Sequence, residues 1–166
     1  LNMASQLRGV EDMLIDMLRR RELAESVLDF TTEAAIRVAR ASLEAGAHGL
    51  MFGEATCSPN FIAPRMYRDL VQPRHVRLIR ACHEMGWTCV GLHICGNILP
   101  IMEDLVGTGA DLVDVDYQVP VRDAIRAVSG RVCLRGNLNP VKLFLQGTPE
   151  QVRAETAAVV REAAGA

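Results

Sequence analysis

The 166-residue chain has no apolar run approaching the ~18–20 residues of a bilayer span, and no charged segment leading into an apolar signal core. That excludes a membrane-spanning segment within these residues and makes the cytoplasm the expected compartment. It also lacks an excess of either charge: 18 Lys and Arg face 20 Asp and Glu, a formal balance of −2. No global attraction to nucleic acid or anionic lipid follows, so neither is an expected partner. There is no Cys-x-x-Cys, which removes zinc-ribbon and thioredoxin-type readings. The five cysteines, Cys57, Cys82, Cys89, Cys95 and Cys133, are odd in number and scattered, which argues against a disulfide framework. No Gly-x-Gly-x-x-Gly follows any strand-like segment, which weakens a dinucleotide-binding reading. Gly 13 and Pro 7 are spread along a chain that is 49% hydrophobic and 23% charged, so disordered, collagen-like and mucin-like classes fail.

What remains is a globular chain whose texture alternates. Leu7, Val10, Leu14 and Met17 or Leu18 recur at helical spacing and predict one amphipathic helix. Leu23, Val27, Phe30, Ala34, Val38, Ala41 and Ala45 predict a second, stopped by Gly46. Gly49 to Gly53 reads as a strand buried on both faces. Pro64 opens a helix through Cys82 that Pro73 must break or kink and Gly86 ends. Thr88 to Cys95, Asp111 to Tyr117 and Val132 to Asn137 are further strand candidates, separated by helical segments over about Ile98–Val106 and Pro120–Val128. The last helix has an explicit start in Thr148-Pro149-Glu150-Gln151: a capping Thr, Pro in the first helical position and Gln at the third.

Strands joined by helical crossovers form parallel sheets. The later strand starts recur every ~20–25 residues, which suits a (β/α) barrel, a fold that needs eight strands and ~250 residues. Four strands fall within this chain, so the expectation is about half a barrel.

Chemistry in such folds sits at the carboxyl ends of the strands. The polar residues there are Glu54, then His93 with Cys95, then Asp116, then Asn137. His93 and Cys95 are two apart in a strand, so imidazole and thiol point to one side, at a spacing that a single metal ion can bridge. Zinc accepts both donors. His-x-Cys is also short enough to arise by chance, with His93 as a hydrogen-bonded mouth residue and Cys95 as a small filler. Glu54 reads as a ligand, an acid-base group or a paired structural carboxylate. Asp111 and Asp114 read as strand-edge or loop residues, and Asn137 after Gly136 as a turn former or a binding residue. His48, His75 and His83 are expected on surfaces or helices away from that face. The run Arg65, Arg68, Arg74, Arg77 and Arg80 reads as a solvated face or a dock for an acidic partner.

Met3 to Gly9, Gly53 to Pro64, Leu92-His93-Ile94-Cys95-Gly96-Asn97, and Gly136 to Pro140 followed by Gly147 to Glu150 together resemble the uroporphyrinogen decarboxylase superfamily. Within it the likeness is greatest to the zinc-dependent methylcobamide:coenzyme M (corrinoid:thiol) methyltransferases. The resemblance implies a (β/α)8 TIM barrel of which residues 1–166 form about the C-terminal half, with the N-terminal half and the final strand region outside this stretch. It implies zinc held by His93 and Cys95, with Glu54 as a further ligand or near neighbour and a third cysteine beyond Ala166. Glu54 and Asp116 are the candidate catalytic carboxylates, and Asn137 the candidate cofactor-binding residue. The implied reaction moves a methyl group from a methylated corrinoid on a separate binding protein to a small thiol. Two alternatives stand beside it: metal-free uroporphyrinogen decarboxylation in tetrapyrrole biosynthesis, and a non-catalytic barrel binding a corrinoid or thiol metabolite. An open half-barrel exposes apolar edges, so it is expected to pair with a second copy or to belong to a longer chain, and to be inactive by itself.

Overall fold

A computed structural model describes residues 1–164. Three helices come first: α1 (Asn2–Arg8), α2 (Val10–Arg19) and α3 (Arg21–Glu44). The single helix expected over residues 7–18 is therefore two, because Gly9 takes φ 90 and turns the chain between them. Strand β1 (Leu50–Gly53) follows, then α4 (Pro64–Met66), one π-helical turn at Tyr67–Val71, and α5 (Gln72–Met85). Pro73 has no N–H to offer the preceding turn. The helix absorbs this by widening before it, with Gln72 N bonded to Tyr67 O, so that Pro73 sits in the first turn of α5. Then come β2 (Val90–His93), α6 (Met102–Val106), β3 (Leu112–Val115), α7 (Val121–Val128), β4 (Cys133–Gly136) and α8 (Pro149–Ala164). The start of α8 is the expected reciprocal cap: Gln151 N donates to Thr148 Oγ1 at 3.3 Å, and Thr148 N to Gln151 Oε1 at 2.8 Å.

The four strands form one parallel sheet in the order β1-β2-β3-β4, each neighbour in sequence being a neighbour in space. This is the expected α/β arrangement, a segment of a (β/α) barrel. Alternation decides the two faces. Val90, Leu92, Val113 and Val115 point under the helices and are buried, alongside Ile98, Ile101, Met102 and Leu105. Each such side chain contributes roughly 1.5–3 kcal/mol by leaving water. Within these residues the opposite face is uncovered, with Met51 and Gly53 exposed and Leu50 and Phe52 half-buried, as for a barrel segment whose other strands lie outside the sequence.

The arginine run is neither a free patch nor merely solvated. Arg74 and Arg77 pair with Asp29 and Glu33 of α3, Arg68 with Asp104 of α6, and Arg65 and Arg80 with acids one turn away. Exposed pairs of this kind contribute ~0–1 kcal/mol each, so they set helix register more than stability. No helix among the described residues is long and apolar enough to cross a membrane.

Candidate functional site

Register builds the site. Gly53 pairs with His93, His93 with Asp114, and Asp114 with Arg135, so one row crosses all four strands near their carboxyl ends. Side chains in one row share a face, here the open one. His93 Nδ1 lies 2.9 Å from Asp114 Oδ2, and Arg135 reaches the same carboxylate with two bonds of 2.7 and 2.8 Å. Burial works to raise the Asp114 pKa, but the Arg135 fork and the His93 bond outweigh it and hold the carboxyl below its usual range. Asp114 is therefore an ionised acceptor for the His93 Nδ1 proton, the tautomer that in a neutral imidazole leaves a lone pair on Nε2. That lone pair faces Cys95 Sγ at 3.2 Å.

This donor set fits zinc. Imidazole nitrogen and thiol sulfur converge, and two such ligands on one tetrahedral zinc stand about 3.5 Å apart, given Zn–N near 2.0–2.1 Å and Zn–S near 2.3 Å. A carboxylate behind the histidine is the usual outer partner of a metal-bound imidazole, fixing its tautomer and raising its basicity.

Glu54 is placed differently from Cys95. Its carboxylate turns toward the helices: Oε2 accepts from the nitrogens of Leu1 (2.7 Å) and Asn2 (3.0 Å) and from the Cys57 thiol (3.1 Å), with His75 Nε2 at 3.7 Å. Burial acts to raise its pKa, while the hydrogen bond and charge of His75 act to lower it. Burial pushes the Cys57 thiol up, with the Glu54 charge adding to it. Among the described residues, Glu54, Cys57 and His75 are the one trio of metal-competent side chains whose ligand atoms lie within 4.8 Å of one another. The structure thus brings His93 and Cys95 together and gathers Glu54 with a different pair. His75 lies on a helix, α5, as one of the two expected placements, but is buried at 4% exposed, and its Nδ1 meets Tyr67 Oη at 3.0 Å. His83 and His48 are exposed, His83 pairing with Asp111.

Asp116 follows β3 and holds two backbone amides, Gly96 N at 2.9 Å and Gln118 N at 3.0 Å. It positions the loop that carries Cys95. Asn137 donates from Nδ2 to Val119 O at 2.6 Å and lines a cavity of about 370 Å³ with Tyr117, Asn139 and Lys142. Asp114 and Arg135 were missed as site residues, although Asp114 and Asp116 repeat the two-residue spacing of His93 and Cys95. Cys57 and His75 left no local signal, being 18 residues apart on different elements.

The profile of the family described as uroporphyrinogen decarboxylase (URO-D) matches residues 1–166. A methylcobamide:CoM methyltransferase MtaA of Methanosarcina barkeri is 27% identical over 156 residues, 93% of this chain and 45% of that protein. A uroporphyrinogen decarboxylase of Xanthomonas axonopodis pv. citri is 34% identical over 137 residues, 81% of this chain and 38% of that protein. Among solved structures, a methyltransferase from Methanosarcina mazei superposes with a TM-score of 0.91 at 26% identity, covering 97% of this chain and 47% of its own. The chain spans less than half the length of these relatives.

Proposed function

Because the chain belongs to the uroporphyrinogen decarboxylase family, we propose that it supplies the strand-end face of a zinc-dependent enzyme moving a methyl group from a methylated corrinoid to a thiol. One observation carries the choice within the family: His93 Nε2 and Cys95 Sγ converge at 3.2 Å with Asp114 behind the imidazole. The likeness to methylcobamide:CoM methyltransferases supports it. The remaining strands of the barrel, and a third cysteine ligand, would come from residues outside this sequence.

In this reading His93 and Cys95 hold the metal, and zinc when bound supplies a Lewis acid that keeps a substrate thiol as its thiolate at neutral pH. Asp114 holds the His93 proton on Nδ1, so the neutral imidazole would present Nε2 to the metal. Arg135 keeps Asp114 ionised. Asp116, through Gly96 N, fixes the backbone beside Cys95. His93 ends β2 at the carboxyl edge of the sheet, the side from which a corrinoid protein would present its methyl group. Asn137 at the neighbouring cavity is a contact for the corrinoid or thiol.

The direct test is methyl transfer from methylcobalamin to simple thiols by the full-length protein, together with its zinc content. Turnover with about one zinc at the His93–Cys95 pair is expected. A decarboxylase reading stays in play because a uroporphyrinogen decarboxylase of Streptomyces avermitilis is also 31% identical, over 87% of this chain. Zinc-free protein that decarboxylates uroporphyrinogen, at a rate untouched by Cys95→Ala, would establish it instead.

Asp114→Asn is expected to weaken zinc about 10–100-fold, the usual effect of losing an outer carboxylate partner. Competition against a chromophoric chelator measures it; unchanged affinity would remove Asp114 from the site. Asp114 also predicts a pH effect on the metal-free protein. Its folded pKa is depressed, so its contribution is complete above the ordinary aspartate range and is lost as pH falls through that range and below. Acid unfolding followed by circular dichroism should be less steep in Asp114→Asn than in the wild type.

A further inference from the structure

We propose that Glu54, Cys57 and His75 form a second site for a divalent transition-metal ion of the zinc class, separate from the His93–Cys95 pair. The trio offers one oxygen, one sulfur and one nitrogen donor, the mixed set that borderline-soft divalent ions accept. Cys57 Sγ lies 3.1 Å and His75 Nε2 3.7 Å from Glu54 Oε2. Pairs of ligands on one tetrahedral zinc stand about 3.3–3.6 Å apart, so the donors need to move only by tenths of an ångström.

A second observation points to a missing occupant. His75 Nε2 is buried and has no hydrogen-bond partner, although it is aimed into this cluster. Buried polar nitrogens are nearly always satisfied, and an orphan at a trio of ligand atoms is best explained by an ion. The other ring nitrogen already has an outer partner, Tyr67 Oη at 3.0 Å, on a side chain with no exposed surface. The Glu54 oxygen facing both partners is Oε2, which also accepts from Asn2 N at 3.0 Å and keeps a second lone pair for an ion.

The site is rigid and reachable. Glu54 leaves the end of β1, Cys57 sits in the short helical turn after it, and His75 lies on α5, all packed on the core. A cavity of about 210 Å³ touches Glu54 and His75 and is walled by Gln6, Thr31, Thr32 and Arg74. Three protein ligands with a fourth position toward a polar cavity is the pattern of an open site, where water or a small ligand completes the coordination. No ligand is shared with His93 or Cys95, so the inference stands or falls without the methyl-transfer reading.

The test uses the full chain carrying His93→Ala and Cys95→Ser, which removes the other pair, with cobalt(II) and zinc as probes. About one equivalent of cobalt(II) is expected to bind, with a thiolate-to-metal absorption band in the near ultraviolet. Adding Cys57→Ser should abolish that band, and adding His75→Gln should weaken binding at least tenfold. Zinc X-ray absorption on the double variant does not depend on a Cys57 variant folding: one sulfur near 2.3 Å beside nitrogen and oxygen near 2.0–2.1 Å is expected. No bound metal, a thiolate band that survives Cys57→Ser, or a shell of nitrogen and oxygen alone overturns the proposal.

Discussion

Replacing Cys95 with alanine in the full-length protein is expected to lower kcat/KM for methyl transfer from methylcobalamin to a thiol by about a thousandfold, a loss near 4 kcal/mol of transition-state stabilisation. The size follows from what the residue does in the proposed reaction. Cys95 is one of two converging donors, and its sulfur is the softer one, facing the lone pair that Asp114 leaves free on His93. With a methyl group in its place a metal keeps one protein ligand from this chain, and binding through His93 alone is weak. Zinc content should fall together with the rate. Cys133→Ala is the matched control: this cysteine is also exposed on the sheet, in β4, but its sulfur has no imidazole beside it. A Cys95→Ala protein with full rate and full zinc would end the assignment of the His93–Cys95 pair.

The largest effect on stability is expected at Gly136. It ends β4 opposite Val115 at φ +135, a backbone conformation that L side chains rarely adopt, and a Cβ there would run into the carbonyl oxygen of Val115. That oxygen belongs to the paired strand and cannot swing aside as a side-chain tip could. Gly136→Ala should therefore cost about 3 kcal/mol or more, seen as a lower denaturant midpoint, and should loosen Asn137 from Val119 O. Gly53→Ala supplies the comparison: nothing lies within 4 Å of its would-be Cβ, and its φ is not in the positive region. A change within ~0.5 kcal/mol is expected there. Equal effects at the two positions would show that the close approach to Val115 does not matter.

Much of the architecture was readable because its causes are local. Alternating apolar strands, helical spacing from Leu23 to Ala45, the Thr148 cap and the stop at Gly86 each act within a few residues. The structure keeps all of them. An error arose where one residue outweighed a pattern, Gly9 splitting a continuous helical spacing, whereas Pro73 interrupts its helix as expected, through a widened turn before it.

The candidate site divides along the same line. The two-residue spacing of His93 and Cys95 suggested a shared side, and they do converge although β2 ends at His93 and Cys95 lies just beyond it; strand-end positions singled out Glu54, Asp116 and Asn137. Which groups complete each cluster depends on contacts between distant segments. Strand register set Asp114 and Arg135 beside His93, 21 and 42 residues along the chain, and the packing of α5 on β1 buried His75 against Glu54 and Cys57. Spacing within a strand is geometry the backbone imposes at short range; register and helix docking are chosen by burial summed over the whole core, and no single segment encodes that sum.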